Sequence, residues 1–267
     1  MKLAYRNQKN AEAISRIFNK PLTAPEWFNV KASGEDSEIL IFDYVGWPFN
    51  DPRDLIAALA DINDVTVRIN SPGGDVFDGM AIYNAFNSHK GTVTTRIEGL
   101  AASMASVIAM AGKKRQAYDN TMIMIHSAWA YSAGNQFDLR EIIDVLEKID
   151  SNLLNVYHEK SKVGKRELAD MMKATTWLNT KEAKEKGFID SIIDGKGAKA
   201  SFDLSIFANV PDSLINDDEL TERDAEKALR DAGFSRSKAK AMLAGRQTSN
   251  IEEIAAEIKK SISILGG

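Results

Sequence analysis

The stretch Val65–His126 reads VTVRINSPGGDVFDGMAIYNAFNSHKGTVTTRIEGLAASMASVIAMAGKKRQAYDNTMIMIH, and its alternating pattern decides the fold class. Val65–Asn70 is a β-branched strand, and Ser71-Pro72-Gly73-Gly74 is a turn or loop. Phe77–Phe86 reads as a helix, with Met80, Ala81, Tyr83, Ala85 and Phe86 set among polar positions. Thr92–Glu98 is strand-like again, and Ala102–Gly112 is an apolar helix. Thr121–Ile125 is a strand that delivers His126 at its end. Strands alternating with helices at this interval predict βαβ units and a buried, mostly parallel sheet. The crossovers should be right-handed.

Working outward, Ile39–Val45 (ILIFDYV) predicts a strand, and Leu55, Ile56, Leu59 and Ile62 recur at helical spacing. Residues 1–35 read as an N-terminal extension with a helix pattern at Ala11, Ile14, Ile17 and Phe18. Downstream, apolar residues from Phe137 to Tyr157 recur every three or four positions, which predicts one long amphipathic helix over about Gln136–Lys160. A second helix is expected at Lys165–Lys173. Asn179 followed by Glu182 is a capping-box pattern opening a short helix that stops at Gly187, and Phe188–Ile193 reads as the last strand of the body. The body therefore spans residues 36–194, followed by a linker over 195–216 and a charged helical tail over 217–267.

Composition limits the function classes. The 267 residues (29.4 kDa) suit one domain plus an appendage. A formal charge of −4 gives no reason to expect a nucleic-acid partner. With no cysteine there is no disulfide, thiolate metal site or cysteine nucleophile, and three histidines make a histidine-rich metal cluster unexpected. The longest apolar run, Leu100–Gly112, falls short of the roughly 20 residues a bilayer needs, so no membrane partner is expected. The N-terminal stretch lacks a continuous apolar core, so no secretory signal and a cytoplasmic location are expected. There is no GxxxxGK[ST] motif and no cofactor signature.

Two loops and one histidine carry the chemistry. The glycine pair in Asn70–Asp75 frees backbone amides to face an anion or a developing oxyanion, although an isolated PGG is more ordinarily a plain turn. Ser103 sits between a strand and an apolar helix among small neighbours, where a helix N-terminus favours negative charge. A lone serine there is more ordinarily an N-cap. His126 ends a strand where α/β folds place ligands, though a single histidine is more ordinarily a satisfied core residue. His89 reads as solvated in a polar turn and His158 as structural. A serine nucleophile needs a neighbouring base, usually histidine.

INSPGG, then GLAASMAS about 30 residues on, then MIMIH with its histidine 23 residues after the serine, resembles the ClpP family of serine peptidases. The similarity continues through the long helix and TWLNTKEAKEKGFIDSI, covering roughly residues 38–194. The resemblance implies a ClpP/crotonase-like fold of stacked ββα units with a long handle helix. It implies Ser103 as nucleophile, His126 as general base, and the amides of Gly74 and Met104 as the oxyanion hole. Pro72 and Gly73 would shape the loop that pairs with a substrate strand, and the handle would join subunits into a homo-oligomeric ring acting on protein substrates. The tail Thr221–Arg246 resembles the C-termini of phage and prophage head maturation proteases, which implies capsid or scaffold proteins as substrates, with a portal or separate unfoldase as a further partner.

One position departs from the pattern. The family's third triad aspartate falls two residues before an aromatic, here Trp177, and that position is Thr175. Three readings stay open: Asp170 substitutes, the site runs as a Ser–His pair oriented by Thr175, or it is degenerate. The competing readings are a crotonase-type acyl-CoA enzyme, which needs no Ser–His pair, a non-catalytic assembly subunit, and a serine–lysine dyad using Lys113 or Lys114.

Overall fold

The computed structural model describes residues 8–17, 22, 27–31, 37–195, 202, 204, 206–211 and 214. The predicted tail from 217 onward lies outside the described residues, as does most of the predicted linker. The chain divides into two units, Met1–Val210 and Pro211–Gly267. In the second, the Leu214 amide donates to the Pro211 carbonyl at 2.9 Å.

The elements in chain order begin with α1 (Gln8–Ile17), β1 (Phe28–Lys31), β2 (Ser37–Ile41), α2 (Pro52–Leu59), β3 (Val65–Ser71) and α3 (Val76–Asn87). Next come β4 (Val93–Ala102), α4 (Met104–Ala109), β5 (Lys114–Tyr118) and β6 (Met122–Ile125). The last are α5 (Gln136–Lys160), α6 (Lys165–Ala174), β7 (Thr176–Asn179), α7 (Thr180–Glu185) and β8 (Ser191–Ile193). Among the described residues, no helix is long and apolar enough to cross a membrane.

The sheet is mostly parallel, as the alternation predicts. Its main path runs β1-β2-β3-β4-β5-β8, with β6 pairing β4 and β7, and the antiparallel pairs are β1–β2 and β6–β7. The long β4 takes two partners in succession. Thr94–Ile97 pair with β5, and Leu100–Ala102 pair with β6. Its burial pattern explains why it continues so far: every residue from Ile97 to Ala102 is buried, which suits a strand covered on both faces. Ile69, Val67, Ile97, Leu100, Val107 and Ile108 lie in the core at 0–1% exposure.

Several boundaries move from the sequence reading. The apolar run begins as strand, and the helix is only Met104–Ala109, because short apolar runs have no period that separates helix from strand. The first predicted strand ends at Ile41. Beyond it the Asp43 carbonyl accepts the Ser71 hydroxyl at 2.6 Å, so that backbone belongs to the loop rather than to a ladder. Only Ser191–Ile193 of the last predicted strand is extended, since the Phe188 amide turns back to the Ala183 carbonyl. Strands β1, β5 and β7 are not foreseen. KRQAY and TWLN are too short and too polar to carry a period of two.

The capping chemistry behaves as the sequence predicts. Asn179 and Glu182 close a capping box on α7, and Asn135 with Asp138 closes a second one on α5. At 25 residues, α5 is about 37 Å long. Its buried residues, Leu153, Val156 and Tyr157, fall in its last three turns, while Phe137, Leu139, Ile143 and Val145 in its first half are exposed.

Candidate active site

Parallel register brings the two predicted catalytic residues together. Ala101 pairs with Ile123 and Ala102 with Met124, and the Ser103 amide donates to the Met124 carbonyl at 2.9 Å. The next residues of both strands therefore leave the sheet at the same end. Ser103 Oγ lies 2.8 Å from His126 Nε2, within hydrogen-bond reach. In the tautomer suited to a base, the hydroxyl donates to Nε2 and the proton sits on Nδ1.

Ser103 occupies the N-cap position of α4 but makes no side-chain capping bond. Its backbone has φ 53° and ψ −128°, a region costing a non-glycine residue about 1–3 kcal/mol. A sharp, strained turn between strand and helix presents a serine hydroxyl outward, as at the nucleophile elbow of other serine hydrolases. The turn is held from beneath. Ser106 Oγ donates to the Ser103 carbonyl at 2.6 Å, so the Tyr157 hydroxyl donates to Ser106 Oγ at 2.7 Å. Burial pushes the Tyr157 phenol well above its ordinary 10, which keeps that donor protonated.

The glycine loop packs directly on this turn. Gly73 has φ 98°, and a Cβ there would fall 2.7 Å from Ser103 Cβ and 2.9 Å from the Met104 nitrogen. At Gly74 a Cβ would strike the Val45 carbonyl oxygen. That close approach goes with a bridge between Val45 and Gly74, in which the Val45 amide donates to the Gly73 carbonyl and the Asp75 amide to the Val45 carbonyl. Asn70 Oδ1 accepts the Leu100 amide at 3.1 Å and Ser71 Oγ accepts the Gly73 amide at 3.2 Å, which fixes the loop beside β4. Met104 is the first residue of α4, so its amide has no partner within the helix. Gly73, between Pro72 and Gly74, therefore packs against the Ser103–Met104 turn.

His126 is half-buried. Burial lowers its pKa from 6.5 to about 4, opposed by the charge of Asp150, so near neutral pH the imidazole is unprotonated and able to accept a proton. Thr175 is the left-handed C-cap of α6 at φ 53°, an uncommon conformation for a β-branched residue. Among the described residues, no hydrogen bond joins Thr175 to His126. Asp170 lies exposed on α6. The charge of Asp150 on α5 opposes the lowering of the His126 pKa, and its Oδ1 accepts the Ala128 amide, two residues beyond His126, at 2.7 Å.

Sequence reasoning misses Asp150, because α5 carries Asp138, Glu141, Asp144, Glu147 and Asp150 and only packing selects one of them. Ser106 and Tyr157 are missed for the same reason, being 51 positions apart.

The remaining candidates lie elsewhere. His89 Nε2 meets the Asn63 carbonyl at 2.5 Å, so this half-buried histidine is tied to the fold rather than solvated. His158 Nδ1 meets the Val163 carbonyl at 3.1 Å. Lys113 Nζ donates to the Gly91 carbonyl, and Lys114 opens β5. Among the described residues, no group of three or more His, Asp or Glu side chains is arranged to hold a metal ion.

Comparison with known proteins agrees with this geometry. Residues 54–196 match the Clp protease family model. The ATP-dependent Clp protease proteolytic subunit of Deinococcus radiodurans is 36% identical over 133 residues, which cover 49% of this chain and 65% of that protein. The subunit of the same name from Bacteroides fragilis is 32% identical over 132 residues, covering 49% and 64% respectively. The chain thus spans just under two thirds of the length of these relatives. With more than half of its residues matched by the family model and the strand-end serine and histidine in contact, the chain belongs to the Clp protease family.

Proposed function

We propose that this protein is a serine endopeptidase of the ClpP type, with Ser103 as nucleophile and His126 as general base. The observation that carries the reading is the 2.8 Å contact between Ser103 Oγ and His126 Nε2, made by a serine whose hydroxyl is not used to cap its helix. The hydroxyl attacks the scissile carbonyl carbon as its proton passes to Nε2. The carbonyl π electrons move to oxygen, where the Gly74 and Met104 amides stabilise the oxyanion. Collapse of the tetrahedral species breaks the C–N bond, and the imidazolium returns its proton to the departing amine. A water molecule, deprotonated by His126, then attacks the acyl-enzyme, and Ser103 leaves with that proton.

The imidazolium formed along this path lacks the family's adjacent carboxylate. Its charge is offset from α5 by Asp150 rather than from α6 by Asp170. This arrangement fits a slower enzyme than one with a complete triad.

The exposed Phe137, Leu139, Ile143 and Val145 support assembly of a homo-oligomeric ring through α5, since several exposed apolar side chains on one helix favour a partner surface. The resemblance of Thr221–Arg246 to phage head maturation proteases supports capsid or scaffold proteins as substrates in the host cytoplasm. The relatives are named as subunits of an ATP-dependent protease. With no nucleotide-binding loop in its own sequence, this chain would take any motor from a separate unfoldase.

Covalent labelling with a fluorophosphonate, read by intact mass and peptide mapping, tests the reading. Labelling confined to Ser103, and lost in His126→Ala, is expected. An assembled ring that takes no label would instead support the second reading, a degenerate assembly subunit, for which the observation is Thr175 at the acid position.

A further inference from the structure

After β8 the chain returns to the imidazole. The Phe207 ring stands edge-to-face with His126, with centroids 5.4 Å apart and planes at 82°. It also meets Trp177 at 6.3 Å and 74°. Trp177 Nε1 donates to the Ala208 carbonyl at 3.0 Å, and Asn209 Nδ2 donates to the Ala174 carbonyl at 2.8 Å. Asn209 adopts φ 56°, a conformation asparagine tolerates, which turns the chain at that point. Leu204 is buried at 6%, and its carbonyl accepts the Phe207 amide.

Ala174 and Trp177 bracket Thr175. The segment is therefore hydrogen-bonded on both sides of the position where the family carries its acid, and between those bonds it places an aromatic ring against the base. From this juxtaposition we infer that Phe207 is a positioning residue for His126, taking over the orienting part of the role that a third carboxylate fills elsewhere. The inference rests on the Ser–His peptidase reading. A carboxylate fixes an imidazole by a hydrogen bond and also stabilises its positive form. An aromatic ring fixes it by contact and excludes water, but provides no charge. The ring thus helps aim Nε2 at Ser103 while holding the base in its neutral form. Residues 206–210 (Ile-Phe-Ala-Asn-Val) bring no charge, Thr175 and Trp177 are neutral, and the charged group acting on the imidazole among the described residues is Asp150 from α5.

The test uses the full chain as wild type, Phe207→Ala and Phe207→Leu, with two readouts. The first is the rate of Ser103 labelling by a fluorophosphonate as a function of pH. The second is exchange of the histidine C2 proton, read by mass spectrometry, which titrates His126 whether or not the enzyme turns over. His89 and His158 serve as internal controls for the integrity of the fold. Phe207→Ala should slow labelling about ten- to a hundred-fold, the scale of a misplaced catalytic group. It should also move the His126 titration upward from about 4 toward 6.5. Phe207→Leu, which keeps an apolar cover, should retain most of both.

Faster labelling in Phe207→Ala would overturn the inference, because the segment would then be an obstruction. Unchanged labelling and titration would overturn it as well. If the wild type takes no label at all, the peptidase reading falls. The titration then still decides whether Phe207 controls the imidazole: a shift in Phe207→Ala upholds the contact, and no shift overturns it.

Discussion

The two sides of the imidazole are built differently. On the Ser103 side every position follows from the parallel ladder: β4 and β6 are in register, their next residues meet, and α4 begins at once. On the Thr175 side, the antiparallel β6–β7 ladder sets Thr176 opposite Ile125, while a carboxylate from α5 and an aromatic ring from a distant segment come from outside the sheet. The contrast teaches that the proposed nucleophile and base are placed by regular structure, which fixes geometry over many hydrogen bonds. The acid position is set by a ladder too, but the charged and aromatic groups around the imidazole are left to side-chain packing, which can change without disturbing the sheet.

The largest effects should come from breaking the ordered side. Ser103→Ala and His126→Ala should each lower turnover of a peptide substrate by about 10⁴-fold or more, while ring assembly measured by light scattering stays intact. The pH dependence belongs to the same residue. His126 must be neutral to act, so activity should be lost as pH falls through about 4 and be flat from there to neutrality. The stability sign agrees. The folded-state pKa lies below 6.5, so the unfolded chain binds more protons between the two values. The stability this residue contributes is present above 6.5 and is lost as pH falls through about 4, which thermal melts across that range would check in wild type against His126→Ala.

The other side can be sharpened. Thr175→Asp places a carboxylate at the family position and a residue better suited to φ 53°. Turnover should rise about ten-fold, a fraction of what a full third member supplies. No gain would mean that Asp150 and Phe207 already fill the role. Asp150→Asn should lower turnover several-fold and push the acid limb of the pH profile further down, whereas Asp170→Asn should leave both unchanged. The reverse pattern would restore Asp170 as the substitute acid. The smallest effect is structural. Tyr157→Phe removes one buried hydrogen bond to Ser106 and should lower stability by about 1 kcal/mol in denaturant unfolding, with the loss of a donor beneath the Ser103 turn.

Much of this was legible in the chain. The strand–loop–helix alternation from Val65 to His126, the long helix Gln136–Lys160 and the Asn179 capping box depend on local pattern, and the structure has them where local physics puts them. Ser103, His126 and Gly74 stand out because each ends or follows a strand. The polar strands β5 and β7 were not legible, because only their neighbours in the sheet make them strands.

By itself, then, the sequence determined the parallel α/β class, because periodicity along one chain is a local property, and it carried the motifs whose resemblance points to the family and to Ser103 and His126 as the proposed pair. Only the tertiary structure decided that the Ser103 hydroxyl faces His126 instead of capping its helix, that the charge of Asp150 acts on the imidazole, and that Phe207 stands against His126. Each of these joins elements far apart in the chain, and packing chooses among chemically equivalent residues that no local pattern can rank.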